Sequence, residues 1–135
     1  MPQSRPPGVG AITWTDLTVR EAERLRDFYS KVVGWTPEPL EMGGYADYVM
    51  KSPTDGASVA GVCHARGDNK DLPPQWLVYI TVESLDASIK QCKTLGGRVL
   101  AGPRSYGDQG RYAVIEDPAG AVCALYETTL WSDTR

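Results

Sequence analysis

Apolar and polar residues alternate along AITWTDLTV (11–19), with Ile12, Trp14 and Asp16 on one side and Thr13, Thr15 and Leu17 on the other. That two-residue period predicts a β-strand. The period then changes. In REAERLRDFYSKVV (20–33), Ala22, Leu25, Phe28, Tyr29, Val32 and Val33 recur at three- and four-residue steps, which predicts a helix with one apolar face. Gly34 is placed to end it. Trp35 opens a short strand that Pro37 and Pro39 restrict to a sheet edge or a bend. YADYVMK (45–51) and ASVAGVC (57–63) read as two more strands, joined by the turn SPTDG (52–56).

The polar stretch HARGDNKDLPPQ (64–75) reads as a connector, and the same order then begins again. WLVYITV (76–82) is a β-branched, apolar strand. Ser84 is placed to cap a helix LDASIKQCKTL (85–95), whose apolar stripe is Leu85, Ile89, Cys92 and Leu95. Gly96 and Gly97 stop it, RVLAG (98–102) follows as a strand, and the loop PRSYGDQG (103–110) leads into a hairpin, GRYAVIEDPAGAVCALYE (110–127). Spacing repeats as well as order: 63 residues separate Val19 from Val82, 62 separate Gly34 from Gly96, and 65 separate Pro53 from Pro118. Each half is therefore a βαβββ module. A unit with so few strands has too little core to stand alone. The expectation is an α+β domain in which two tandem βαβββ modules form a curved mixed sheet around a cleft suited to a small ligand. The domain spans residues 10–128, with a module at 10–63, the connector at 64–75 and a module at 76–128. Residues 1–9 read as a flexible lead-in, and 129–135 as a polar tail.

Charge narrows the partners. Fourteen Lys and Arg are scattered among seventeen Asp and Glu, for a net charge of -3. With no basic run, neither nucleic acid nor an anionic membrane is an expected partner. No apolar run approaches the roughly 20 residues of a membrane span, and MPQSRPPGVG has no apolar core of a signal peptide. Cys63, Cys92 and Cys123 are odd in number and lack a CxxC spacing, which points to reduced thiols and a cytoplasmic protein. His64 is the one histidine, so one chain cannot build a multi-histidine metal site.

Two signatures stand together: FY(x)4GW, made of Phe28, Tyr29, Gly34 and Trp35, and GR(x)5DP(x)G, beginning at Gly110 and Arg111. With them the chain resembles the vicinal oxygen chelate superfamily of glyoxalase I, extradiol dioxygenases and the bleomycin- and fosfomycin-resistance proteins, from about residue 10 to residue 128. The resemblance implies a fold more firmly than a reaction, since this fold hosts many chemistries. In metal-dependent members each module supplies one ligand from its first strand and one from its last. Such sites suit zinc, nickel, iron, manganese or magnesium. Carried over by position, the first-strand sites fall on Trp14 and Leu77, neither of which ligates a metal. In the last strands, Glu127 matches the family's final glutamate. Its counterpart is Cys63 in one register and His64 in the register one residue on. The metal candidates are thus His64 and Glu127, two ligands of four. The resemblance also implies a homodimer.

For Glu127 the readings are a solvated strand end, a polar anchor or a general base. Cys63 reads as core. Trp14, Tyr48 and Leu77, with Trp76 and Tyr45 near them, would wall an aromatic cleft, and Arg111 would meet an anionic group. The leading expectation is a glyoxalase- or bleomycin-resistance-like protein with an incomplete metal tetrad and no assured cofactor. It would bind a small aromatic or amphipathic molecule among Trp14, Tyr48, Leu77, Arg111 and Glu127. Two alternatives stand beside it. One is a metal-assisted or Glu127-based lyase, isomerase or dioxygenase. The other is a structural module whose cleft its own side chains fill.

Overall fold

A computed structural model describes residues 8–105 and 110–128. The elements are β1 (Ile12–Val19), α1 (Ala22–Val32), β2 (Thr36–Glu41), β3 (Ala46–Lys51), β4 (Ser58–His64), β5 (Trp76–Thr81), α2 (Leu85–Thr94), β6 (Arg98–Ser105), β7 (Gly110–Glu116) and β8 (Val122–Thr128). The fold is α+β, two βαβββ modules in tandem, as the periodicity predicts. The chain groups into two compact units. One is Trp14–Leu77; the other joins Val78 and the chain beyond it to the residues up to Thr13.

In the first unit the strand order is β2-β3-β4-β1. β2 and β4 flank β3 antiparallel, and β1 runs parallel to β4 with Asp16 opposite Gly61 and Thr18 opposite Cys63. The proline-bearing β2 has β3 alone as its partner in this sheet, which suits a strand missing two amide donors. Helix α1 covers one face: Ala22, Tyr48, Met50 and Val62 are buried with Val19, Leu25, Tyr29 and Trp35 packed on them. Burying side chains the size of Met50 or Val62 contributes about 1.5–3 kcal/mol each, which holds α1 to this face. Val19 lies on the helix side, so alternation turns Trp14, Asp16 and Thr18 to the opposite, helix-free face. Gly34 ends α1 at φ +91°, a conformation that costs other residues strain.

The second unit repeats the plan as β5-β8-β7-β6, with β5 parallel to β8 and α2 on one face. Leu85, Ala113 and Leu125 form its core, with Ile80, Val82, Ile89 and Ile115 against them. Ser84 caps α2 by accepting the Ala87 amide at 3.2 Å. In the β7–β8 turn, the Asp117 carboxylate accepts the amides of Ala119 and Ala121, at 2.8 and 3.0 Å. One boundary differs from expectation. β6 continues through Pro103 to Ser105 rather than yielding to a loop at 103, because Arg104 and Ser105 pair with Tyr112 and Arg111 across a bulge at Gly102. Residues 106–109 of the expected loop, the start of the lead-in (1–7) and the tail 129–135 lie outside the described residues. Among the described residues no helix is long and apolar enough to cross a membrane.

Candidate functional site

The helix-free face of the first module centres on a carboxylate. Asp16 is 8% exposed, and its Oδ1 accepts the indole N–H of Trp14 at 2.6 Å, a short charge-assisted bond. Both side chains stand on one strand two residues apart, so they share a face by the pleat alone. Opposite Asp16 lies Gly61, and any side chain there would run into the Asp16 carboxylate. Gly61 therefore makes the seat in which Asp16 rests. Thr18 and Cys63 follow on the same face. Burial first, then the nearby carboxylates of Asp16 and Asp47, push the Cys63 thiol well above its ordinary pKa. It is a protonated thiol, not a nucleophile.

His64, one residue on, belongs to a different arrangement. Its backbone amide donates to Asp47 Oδ1 at 2.9 Å, its Nδ1 lies 3.2 Å from the same oxygen, and its Nε2 lies 3.0 Å from Glu23 Oε2 on α1. Tyr45 and Tyr48 pack edge-on and tilted against the ring, Arg66 sits 3.8 Å over Tyr45, and Arg26 sits 4.8 Å over Tyr48. Tyr48 itself is 7% exposed and part of the core under α1, not a wall of the helix-free face. Trp76 joins Tyr29 and Trp35 in an aromatic cluster and donates its indole N–H to the Tyr29 hydroxyl at 3.2 Å. Leu77 is 2% exposed.

In the second module Glu127 turns to the helix side. Its Oε1 accepts the Leu85 amide at 2.6 Å, at the start of α2, where backbone donors lack helical partners. Its cross-strand neighbour Arg111 pairs with Asp86 at 2.9 Å on the same helix. These two sequence candidates thus meet each other, and together they clasp α2 to the hairpin. The helix-free face carries different residues: Tyr79 and Tyr112, with ring centroids 6.2 Å apart, and Tyr126, whose ring lies against Gly110. Sequence reasoning passed over Asp16 and these three tyrosines as site residues. Alternation already set Asp16 beside Trp14, and a glycine inside β4 signals a close approach.

The donor set does not fit the family's divalent metal. Trp14 and Leu77 have no ligating atom, both His64 nitrogens already face carboxylates, and Glu127 accepts an amide. Among the described residues no three His, Cys, Asp or Glu side chains gather as a metal site requires.

Residues 11–125 match the model of the Glyoxalase/Bleomycin resistance protein/Dioxygenase superfamily. The chain belongs to that superfamily. Its sequence relatives include the anthracycline biosynthesis protein DnrV of Streptomyces peucetius, 33% identical over an alignment 129 residues long that covers 87% of this chain and 46% of that protein. The putative glyoxylase CFP32 of Mycobacterium tuberculosis is 29% identical over 119 residues, again 87% and 46%. This superfamily member thus spans less than half the length of these curated relatives. Among solved structures, methylmalonyl-CoA epimerase from Mycobacterium tuberculosis matches with a TM-score of 0.54 at 17% identity, covering 94% of this chain and 92% of that one. A methylmalonyl-CoA epimerase in complex with methylmalonyl-CoA and NH4+ matches at 0.57 and 16%, covering 89% and 95%. At such identity these likenesses speak for the fold of the superfamily and not for a reaction.

Proposed function

We propose that this chain is a ligand-binding member of its superfamily, holding a small planar aromatic or amphipathic molecule on helix-free sheet faces without a resident metal. The observation that carries the reading is Trp14: an indole occupies the position where the resemblance places a first-strand ligand, and its N–H is committed to Asp16. Tyr79 and Tyr112 supply a second aromatic surface, in the other module. Stacked or edge-on aromatic contacts contribute about 0.5–1.5 kcal/mol beyond burial of their area, enough to orient a flat molecule. Glu127 holds the α2 amide, which argues against its use as a general base, and Arg111 is engaged by Asp86.

The test is a thermal-shift screen of planar aromatic compounds, with zinc, nickel, iron, manganese and magnesium run in parallel. Aromatic compounds should raise the melting temperature, and Trp14→Ala or Tyr112→Ala should shrink that rise. Metal co-purifying at one equivalent per chain, and lost on His64→Ala or Glu127→Ala, would sink the reading. We further propose that the chain works as a homodimer.

A further inference from the structure

We infer that the cavity at the C-terminal end of β1 is a second binding site, built for a small zwitterion such as an α-amino acid. It stands apart from the aromatic faces proposed above, and the residues that line it all lie within the first unit. Local hydrogen bonds build it. The Ala65 amide donates to the Val19 carbonyl at 2.9 Å. The connector then turns back on itself, with the Asn69 amide on the Arg66 carbonyl at 2.9 Å and the Leu72 amide on the Asn69 carbonyl at 3.3 Å. Between the connector, the end of β1 and the start of α1 lies a cavity of about 390 Å³, a volume in the range of small-ligand sites. Four charged residues line it as two dyads, Arg20 with Glu21 and Lys70 with Asp71, and none of the four forms an ion pair among the described residues. Charges of both signs left unpaired around one cavity are complementary to a molecule that carries both, since each can hold its opposite by a charge-assisted hydrogen bond. Helix α1 begins at this cavity with no side chain capping it, and the amide donors of such a terminus favour a carboxylate. Thr18 lines the cavity at 6% exposure, its hydroxyl without a partner among the described residues. A polar group so buried gains from a ligand that hydrogen-bonds to it. Val19, Leu72 and Pro74 add apolar wall for the aliphatic part of the molecule.

The experiment titrates the full chain with L-leucine, L-leucinamide and 4-methylpentanoate, which share a skeleton and present a zwitterion, a cation and an anion. Binding is followed by amide chemical shifts of isotope-labelled protein, a readout that also locates the site. Leucine should bind about tenfold more tightly than either comparator, the value of one hydrogen bond to a charged group. It should also move the amide signals of Arg20, Ala65 and Lys70. Glu21→Gln with Asp71→Asn removes the carboxylates and should bring 4-methylpentanoate to within about threefold of leucine. Arg20→Gln with Lys70→Gln should do the same for leucinamide. All four side chains are exposed, so neither double variant should disturb the fold. A merely structural role would weaken all three compounds together and leave their ratios intact. Four results each overturn the inference: leucine and 4-methylpentanoate binding native protein equally, ratios unmoved in the double variants, shifts confined to other residues, or no binding of leucine up to about 10 mM. Any of them leaves the aromatic-binding reading standing.

Discussion

At Glu127 a carboxylate oxygen accepts the Leu85 amide at 2.6 Å, so substitution there should be felt first in stability. Glu127→Ala leaves a helix-terminal donor without its partner and should cost about 1–2 kcal/mol in chemical denaturation. Glu127→Gln keeps an acceptor and should cost less than half of that. Aromatic-ligand affinity should stay within about twofold in both, since the side chain lies on the helix side; a tenfold loss would return Glu127 to the binding face. Acid should act through two other carboxylates. A hydrogen bond to its own backbone amide, followed by the contact with His64, holds Glu23 below its usual 4.5, and Arg111 holds Asp86 below its usual 3.8. Each folded-state pKa lies below the unfolded one. Their stabilisation is therefore full above the unfolded values and is lost as pH falls through the folded ones. Melting temperature followed from pH 6 downward should fall less steeply in Glu23→Gln and Asp86→Asn than in native protein. At this scale the sequence was only partly legible. Whether Cys63 or His64 shares the face of Trp14 turns on a one-residue register, and that register is set by pairing with β1, more than 40 residues away.

The elements were far more legible, because their signals are local. The three- and four-residue steps of α1, the glycine that stops it, the Ser84 cap and the Asp117 turn all act within one turn of chain. Ser84→Ala should therefore lower stability by about 1 kcal/mol in the same denaturation assay, with Ser84→Gly falling short of that loss. The far end of β6 was not legible, since Pro103 reads as a loop until Arg104 finds Tyr112 across the bulge. Gly61 is the element-scale feature with the sharpest consequence. Its backbone is one that any residue can adopt, so the penalty of Gly61→Ala is steric: the new methyl meets the Asp16 carboxylate. Overpacking of this kind costs about 1–3 kcal/mol. Urea denaturation of Gly61→Ala should show that loss, and the double variant with Asp16→Ala should recover most of it. An unrecovered loss would place the clash elsewhere.

For the molecule as a whole, the repeat of order and spacing predicted both modules, while association depends on surfaces that no pattern within one chain specifies. On α1, the core-facing side holds Ala22, Leu25 and Tyr29, yet Phe28 and Val32 stand one turn apart at 52% and 64% exposure. Large apolar side chains set together on a helix surface are uncommon in proteins that work alone. The curated relatives, of which the matched part is 46%, have further protein in the same polypeptide, and a second copy would give this chain a comparable assembly. The expected species in solution is therefore a dimer of two 14.7 kDa chains, measured by light scattering after gel filtration. Because only the folded dimer buries the contact, the melting temperature should rise with protein concentration. Phe28→Asp with Val32→Glu should give a monomer whose melting temperature no longer depends on concentration. If native protein is already a monomer at 100 μM, or if the double variant still dimerises, then α1 is not the surface that pairs two copies.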